Sequence, residues 1–550
     1  MKHSVNMDEK EMALMYLEEH TKRFTKRVEK VTENIYCAVG YGLANSTLII
    51  TDKGNIIVDT TEGLETAAEV KQAFEKISPL PTIAVIYTHG HPDHINGASV
   101  FADEKTEIYA NKLTVDFIQT QYNQLKSILE IRGARQFGVF LQPEYYPYSG
   151  LGPALKRSGD KRIMFPTTVF EDTLELTIGS TVMQLVSAPG ETDDHIFIWL
   201  PEEKVLLGAD NYYPAFPNLY TIRGTSPRPV LQWVRSLDKM RALQAEYLVL
   251  GHTEPIYGKE KIADLLMIYR DGIQYIHDST VRGMNLGKTV DELVEEISLP
   301  ESLAAYEELR ELYGSISQSV RAIYSGYLGW FDGNASNLEQ LSLRAFSTKI
   351  AELAGGTQKL LEEAEKSLEN GEFQWATQLA DMLLSLKPED ELALHVKIRA
   401  LTELGLRTYN SNNRSYYLSQ AKELQIGVKY LNNRNLQAAA AEAVKIPIHA
   451  FFQQMTILLQ PVKCQNINLS VSLILTDDNK PYKLFIRNGI IEIQEGYLET
   501  ADFTVETSAI MWKNIILGIN DSDESLKKAG FQLKGNQVVF KEFVAFFQKE

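Results

Sequence analysis

Short apolar runs separated by Gly, Asp, Asn and Lys dominate the first third of the chain and predict strands rather than helices. They are Ile35-Tyr36-Cys37-Ala38-Val39, Ser46-Thr47-Leu48-Ile49-Ile50, Asn55-Ile56-Ile57-Val58-Asp59 and Ile83-Ala84-Val85-Ile86-Tyr87. Ahead of them, residues 8–30 carry Met, Leu and Phe at helical spacing among mixed charges, which predicts an amphipathic helix lying on the main domain. Helices are also predicted to begin at Asn96 to Phe101 and to cover 111–130. Residues 132–165, rich in Gly, Pro, Tyr and Arg without a steady period, read as a long insertion that either builds a pocket or covers surface. Three further runs then end in polar residues: Val182 to Val186 before Ala188-Pro189-Gly190-Glu191, Lys204 to Leu207 before Gly208-Ala209-Asp210, and Tyr247 to Leu250 before Gly251-His252.

From about residue 336 the period is helical. Leu360 through Leu383 and Leu392 to Leu404, with Pro388-Glu389-Asp390 between them and Gly405 as a stop, predict an antiparallel helix pair. Asn370 to Ala376 is similar to one tetratricopeptide-like unit, and a single unit must dock on this chain or a second copy to bury its face. Asn410 to Arg414 reads as a polar loop. From about 446 an α+β pattern begins, with a helix at Ile448 to Phe452 and strands at Asn468 to Leu475, Tyr482 to Ile486 and Ile490 to Gln494. Asn488-Gly489 marks a tight hairpin. Helices carrying Trp512, Ile515-Ile516 and Phe543 to Phe547 finish the chain. The expected divisions are therefore 1–335, 336–440 and 441–550.

Composition narrows the partners. At 550 residues the chain exceeds one ordinary core, and its net charge of −17 disfavours nucleic acid, so a local cluster of Arg, Lys or metal must attract any anionic substrate. Cys37 and Cys464 are the only cysteines and lack CxxC spacing, which fits a reducing compartment. The amino terminus lacks the apolar core of a signal peptide, so cytoplasmic residence is the default expectation. No run of about 18 apolar residues predicts a membrane span.

The strongest chemical signal is Thr88-His89-Gly90-His91-Pro92-Asp93-His94, which follows the strand-like Ile83 to Tyr87. Nitrogen and oxygen donors of this kind suit zinc or a similar divalent ion. Alternation aims His89 and His91 at one position, and Asp93 and His94 at a second, so two metals are expected. A polar loop with hydrogen-bonded histidines is the competing reading, and the HxHxDH spacing after a strand weighs against it. Glu191, Asp210 and His252 each follow the last apolar residue of a predicted strand and are taken as the distant ligands. His195, just before Ile196 to Leu200, is expected to cap a strand or support the ligands rather than bind metal. His277 reads as structural, and His3, His20, His395 and His449 have no partners nearby in sequence.

The TH-x-H-x-DH spelling resembles the metallo-β-lactamase superfamily, which implies an αββα sandwich with a mono- or dinuclear site at its edge. In that family the positions of Asp59, Asp210 and His252 imply a buried partner under the metal loop, a bridging carboxylate and a closing histidine. Glu191 falls where many members carry histidine. With Tyr41 to Thr47, Asn218 to Gly224, Tyr269-Arg270-Asp271, His277 to Arg282, Tyr313 to Ser317, Val320 to Tyr324 and Tyr327 to Asn334, the chain is similar to linear-type alkylsulfatases. This likeness implies an α/β chain: a metallo-β-lactamase αββα sandwich (1–335), an all-α tetratricopeptide-like dimerisation domain (336–440) and a C-terminal α+β domain like sterol carrier protein 2, SCP2 (441–550). In its own family that last domain holds an aliphatic tail; a plain packed core is the alternative.

The same likeness implies two Zn2+ ions, a homodimer, and hydrolysis of a small alkyl sulfate ester to alcohol and inorganic sulfate. His89, His91 and Glu191 would hold one ion, Asp93, His94 and His252 the other, and Asp210 both; metal-bound water loses its proton near neutral pH. Asp93 and Arg223 are the catalytic candidates. Asn218, Arg223, Arg228, Phe137 and Val139 are the substrate-binding candidates, the two arginines because a guanidinium matches a tetrahedral oxyanion. Phe137 and Val139 align where the family carries a polar Tyr-x-Asn pair, and neither side chain can donate a hydrogen bond. The segment Glu191 to His195 is one residue shorter and more acidic than the family pattern. These departures keep two alternatives open: a hydrolase of the same fold acting on another ester or anion, and a lipid-binding protein with a vestigial metal site.

Overall fold

The computed structural model describes residues 8–142, 149–155, 163–427, 446–477 and 480–548. It divides into two compact units, Met1–Phe117 with Leu129–Val428, and Ile118–Ile128 with Lys429–Glu550. In the first unit, seven strands follow one another in chain order across one sheet: β1 (Arg27–Lys30), β2 (Ile35–Val39), β3 (Ser46–Ile50), β4 (Asn55–Val58), β5 (Thr82–Ile86), β6 (Glu107–Asn111) and β7 (Thr168–Phe170). A second sheet holds β8 (Thr173–Ile178), β9 (Thr181–Ser187), β10 (Ile196–Leu200), β11 (Val205–Ala209), β12 (Tyr247–Leu250) and β13 (Ile256–Tyr257), adjacent in that sequence.

Alternation explains why the two sheets stack. Ile35, Cys37, Val39, Ile56, Val58, Ala84 and Ile86 from the first meet Met183, Leu185, Ile196, Ile198, Val205 and Leu207 from the second in one buried core. The opposite face of the second sheet, with Phe197, Trp199, Leu206 and Leu248, is covered by helices Val230–Ala242 and Lys259–Asn285, which bury Trp233, Leu237, Met240 and Tyr269. Helix Leu64–Glu75 buries Ala67, Val70 and Phe74. The expected αββα sandwich is thus formed, and helices at 343–426 continue the unit.

Two strand pairs position the chemistry. β4 pairs with β5, and β11 with β12, both in parallel. The chain therefore leaves each pair at one end, delivering Asp59 and the histidine loop from the first, Asp210 and His252 from the second.

Several local expectations are corrected. The helix expected over 8–30 ends at Thr21, and Arg27–Lys30 is a strand that pairs with β2. Charged Arg27, Glu29 and Lys30 suit an exposed edge strand as well as they suit a helix face. The helix expected over 111–130 breaks into Leu113–Gln119, a π turn at Thr120–Gln124 and Lys126–Gln136, so the insertion expected from 132 begins as helix. Residues 143–148 and 156–162 of that insertion lie outside the described residues.

The expected pair between 360 and 404 is three helices, Thr357–Glu369, Phe373–Leu386 and Glu391–Arg407. The chain turns at Gly371, whose φ of 81° only glycine adopts without strain. Asn410–Arg414 is no loop: Asn410 caps helix Ser411–Ile426 and its Nδ2 donates to the carbonyls of Glu311, Tyr313 and Gly314.

In the second unit a five-stranded sheet orders β14 (Leu469–Leu475), β15 (Lys480–Arg487), β16 (Ile490–Glu495), β17 (Phe503–Thr507) and β18 (Gln532–Gly535) as β16-β15-β14-β17-β18. β17 and β18 went unforeseen. Phe451, Phe503, Trp512, Phe540 and Phe543 fill the interior of this unit.

Candidate metal centre

The four loops expected to carry ligands meet at one place. His89, His91, Glu191 and Asp210 present ligand atoms all within 4.8 Å of one another, and Asp93, His94 and His252 form a second such group. Asp210 Oδ2 joins them, 3.7 Å from His89 Nε2, 3.3 Å from His94 Nε2 and 3.1 Å from His252 Nε2. Asp93 Oδ2 lies 3.7 Å from both His94 Nε2 and His252 Nε2. All seven predicted ligands are therefore brought together.

Neighbours fix which nitrogen each ring offers. Asp59 accepts from Thr88 N and Thr88 Oγ1, and at 2.7 Å from His94 Nδ1, which turns Nε2 toward Asp210. Leu43 O does the same for His252 Nδ1 at 2.8 Å. A carboxylate or carbonyl behind a ring is the usual arrangement for imidazoles that hold metal. His195 is not in either group; its Nε2 accepts from Asp210 N at 3.1 Å, so it supports the central carboxylate.

Asn45, Asn211 and Asp194 were not singled out from sequence, yet they pin the loops. Asn45 Nδ2 donates to Leu250 O and Thr253 O, on either side of His252. Asn211 Oδ1 accepts from Glu191 N. Asp194 Oδ2 accepts from Gly90 N between His89 and His91. Asn45 lay in the Tyr41 to Thr47 block and Asp194 in the acidic segment after Glu191, the only signals either gave.

Strain gathers here too. Asp59, Thr61, Ala209 and Thr253 have positive φ values of 58°, 65°, 44° and 65°. For β-branched Thr61 and Thr253 this costs on the order of 1–2 kcal/mol each, which the surrounding hydrogen bonds must offset. Gly251 leaves no slack, because a Cβ there would lie 2.0 Å from Asp210 Oδ1.

The electrostatics divide the centre. Burial, then the neighbouring histidine His94, hold His89 low; burial and Arg223 hold His91 low. Burial would also lower His94 and His252, but Asp210, Asp59 and Asp93 outweigh it for His94, and Asp210 outweighs it for His252, raised to about 9. Burial pushes Glu191 up, against the pull of Arg228.

Arg228 Nη1 donates to Glu191 Oε1 at 2.8 Å and to Asn218 O at 2.6 Å. Arg223 Nη2 lies 3.0 Å from His91 Nε2. Phe137 packs against an apolar group containing Tyr213, Leu312 and Tyr313, and Val139 closes a turn through its N–H to Ala134 O; neither contributes a polar side-chain atom.

The donor set fits divalent ions. Four imidazoles and three carboxylates suit zinc-like ions, and His94 Nε2, Glu191 Oε2 and Asp210 Oδ1 are buried without hydrogen-bond partners, as atoms awaiting a cation would be.

Residues 39–111 and 124–252 match the metallo-β-lactamase superfamily, 289–427 match the alkyl sulfatase dimerisation family, and 437–550 match the alkyl sulfatase C-terminal family. A linear primary-alkylsulfatase of Pseudomonas sp. is 35% identical over 520 residues, 92% of this chain and 98% of its own. An (R)-specific secondary-alkylsulfatase of Pseudomonas sp. is 28% identical over 530 residues, 94% of this chain and 80% of its own. The solved stereoselective inverting sec-alkylsulfatase Pisa1 from Pseudomonas sp. superposes with a TM-score of 0.91 at 26% identity, covering 97% of this chain and 87% of that one. Seven converging candidate ligands on an αββα sandwich, continued by both accessory families, place one conclusion beyond the fold itself: this chain belongs to the alkylsulfatase family of the metallo-β-lactamase superfamily.

Proposed function

We infer that the chain is a metal-dependent hydrolase that cleaves alkyl sulfate esters to alcohol and inorganic sulfate. The observation that carries this is the convergence of six further candidate ligands on Asp210, with the Arg223 guanidinium 3.0 Å from His91. His89, His91 and Glu191 would hold one zinc ion, Asp93, His94 and His252 a second, and Asp210 both. Bound ions supply Lewis acidity to the ester oxygens and lower the pKa of water.

The protein's own part is to orient and to neutralise. Asp59 and Leu43 O set the rings of His94 and His252, and Arg228 holds Glu191. When His91 Nδ1 is a ligand, its Nε2 carries the ring proton and no longer accepts from Arg223. The guanidinium is then free to hold sulfate oxygens and to offset charge growing on them.

A homodimer is supported by Trp330, Leu338, Leu341, Leu343 and Leu353, all more than half exposed within the segment matched by the dimerisation family. The proposed divisions are a catalytic domain at 1–335, a helical dimerisation domain at 336–440 and an SCP2-like domain at 441–550, the last supported by its helix-backed sheet. No helix among the described residues is long and apolar enough to cross a membrane. Two buried free cysteines support residence in the cytoplasm.

Incubating the purified protein with dodecyl sulfate, beside phosphodiester and lactam controls, and analysing metal in the same sample tests this reading. Sulfate release with about two zinc ions per chain is expected. Metal-loaded protein that releases no sulfate overturns it.

A further inference from the structure

We propose that Gln136 is the hydrogen-bond donor with which this chain recognises the anionic head of its substrate, an assignment that rests on the sulfate-ester reading above. Gln136 ends helix Lys126–Gln136 and is 1% exposed. Its Oε1 accepts from Arg223 N and from Thr221 Oγ1, each at 2.9 Å. Because the Arg223 amide can only donate, the carboxamide must face it with oxygen, and its orientation is settled. Nε2 is then left buried without a partner.

The neighbourhood says what that donor awaits. Arg223 Nη1 donates to the same Thr221 hydroxyl at 2.8 Å, and Arg223 Nη2 reaches His91, so the carboxamide and the guanidinium that faces the ligand cluster meet on one hydroxyl. Arg228 Nε and Nη2 and Asn218 Nδ2 are also buried without acceptors, beside Glu191. A buried surplus of N–H groups, with the adjacent Phe137 and Val139 adding no polar atom, matches a group made only of acceptors. The oxygens of a sulfate monoester are such a group.

Two roles of Gln136 can be separated by substitution. Gln136→Glu keeps an oxygen for Arg223 N and Thr221 but exchanges the Nε2 donor for a second, anion-repelling oxygen. Gln136→Met loses the clamp and the donor together without adding charge. We would titrate inorganic sulfate into each zinc-loaded protein by calorimetry at alkaline pH, measure KM for dodecyl sulfate, and check the fold by circular dichroism.

Sulfate affinity is expected to fall roughly tenfold in Gln136→Met and further in Gln136→Glu, with KM rising in the same order. A milder effect in Gln136→Glu than in Gln136→Met, or no effect in either, overturns the assignment alone and leaves a clamp. Wild-type protein that neither binds sulfate nor releases it overturns the sulfate-ester reading and this proposal with it.

Discussion

His89, His91, His94 and His252 differ from His20 and His277 in what their rings meet, although all six are buried. Each ring of the first set faces other ligand-capable atoms, and His94 Nε2 has no hydrogen-bond partner at all. Those of the second set end in ordinary partners. His20 Nε2 bonds Gly150 O at 2.8 Å, while His277 Nδ1 meets Asp278 and Nε2 meets Tyr327 Oη, both at 2.8 Å. Burial alone therefore does not mark a site; buried imidazoles turned toward one another and toward a shared carboxylate do.

The comparison breaks hardest at Asp210. Asp210→Ala should remove the atom shared by both halves, leaving less than one zinc ion per chain and lowering sulfate release by at least about a hundredfold, read by metal analysis and initial rates. Asp59→Asn comes next. It leaves every ligand in place but presents an amide to His94 Nδ1, so metal affinity should weaken roughly 10–100-fold in competition with a chelator. Unchanged affinity would mean that the ring needs no support.

The second set should respond in stability instead. Burial holds His20 down from 6.5 to about 4, so the unfolded chain takes up its proton first and stability is lost as pH falls through that interval. The loss reaches roughly 3 kcal/mol at about 1.4 kcal/mol per pH unit. His20→Gln, which retains a donor for Gly150 O, should flatten that acid limb in denaturant titrations between neutral pH and about pH 4. The smallest effect belongs to Tyr327→Phe. Losing the bond to His277 should lower stability by about 0.5–1 kcal/mol, leaving zinc content as it was.

What the sequence carried was the strand-end grammar. Asp59, the histidine loop, Glu191, Asp210 and His252 each sit just past an apolar run, and a period of two is readable over five residues. Gln136 could not be found that way, because its role depends on Thr221 and Arg223, some 85 positions later in the chain. The π turn at Thr120–Gln124 and the strand at Arg27–Lys30 were hidden for a related reason: neither has a pattern that differs from helix over so few residues. Asn410 looked like loop because its three backbone partners lie about a hundred residues earlier.

Gly251 has a consequence for how the protein can change. With Asp210 Oδ1 occupying the volume that even a methyl group would claim, this wall admits no diversity. Libraries aimed at new substrates would waste every clone altered there. Innovation has room only at positions such as Phe137 and Val139, which give the centre no polar side-chain atom.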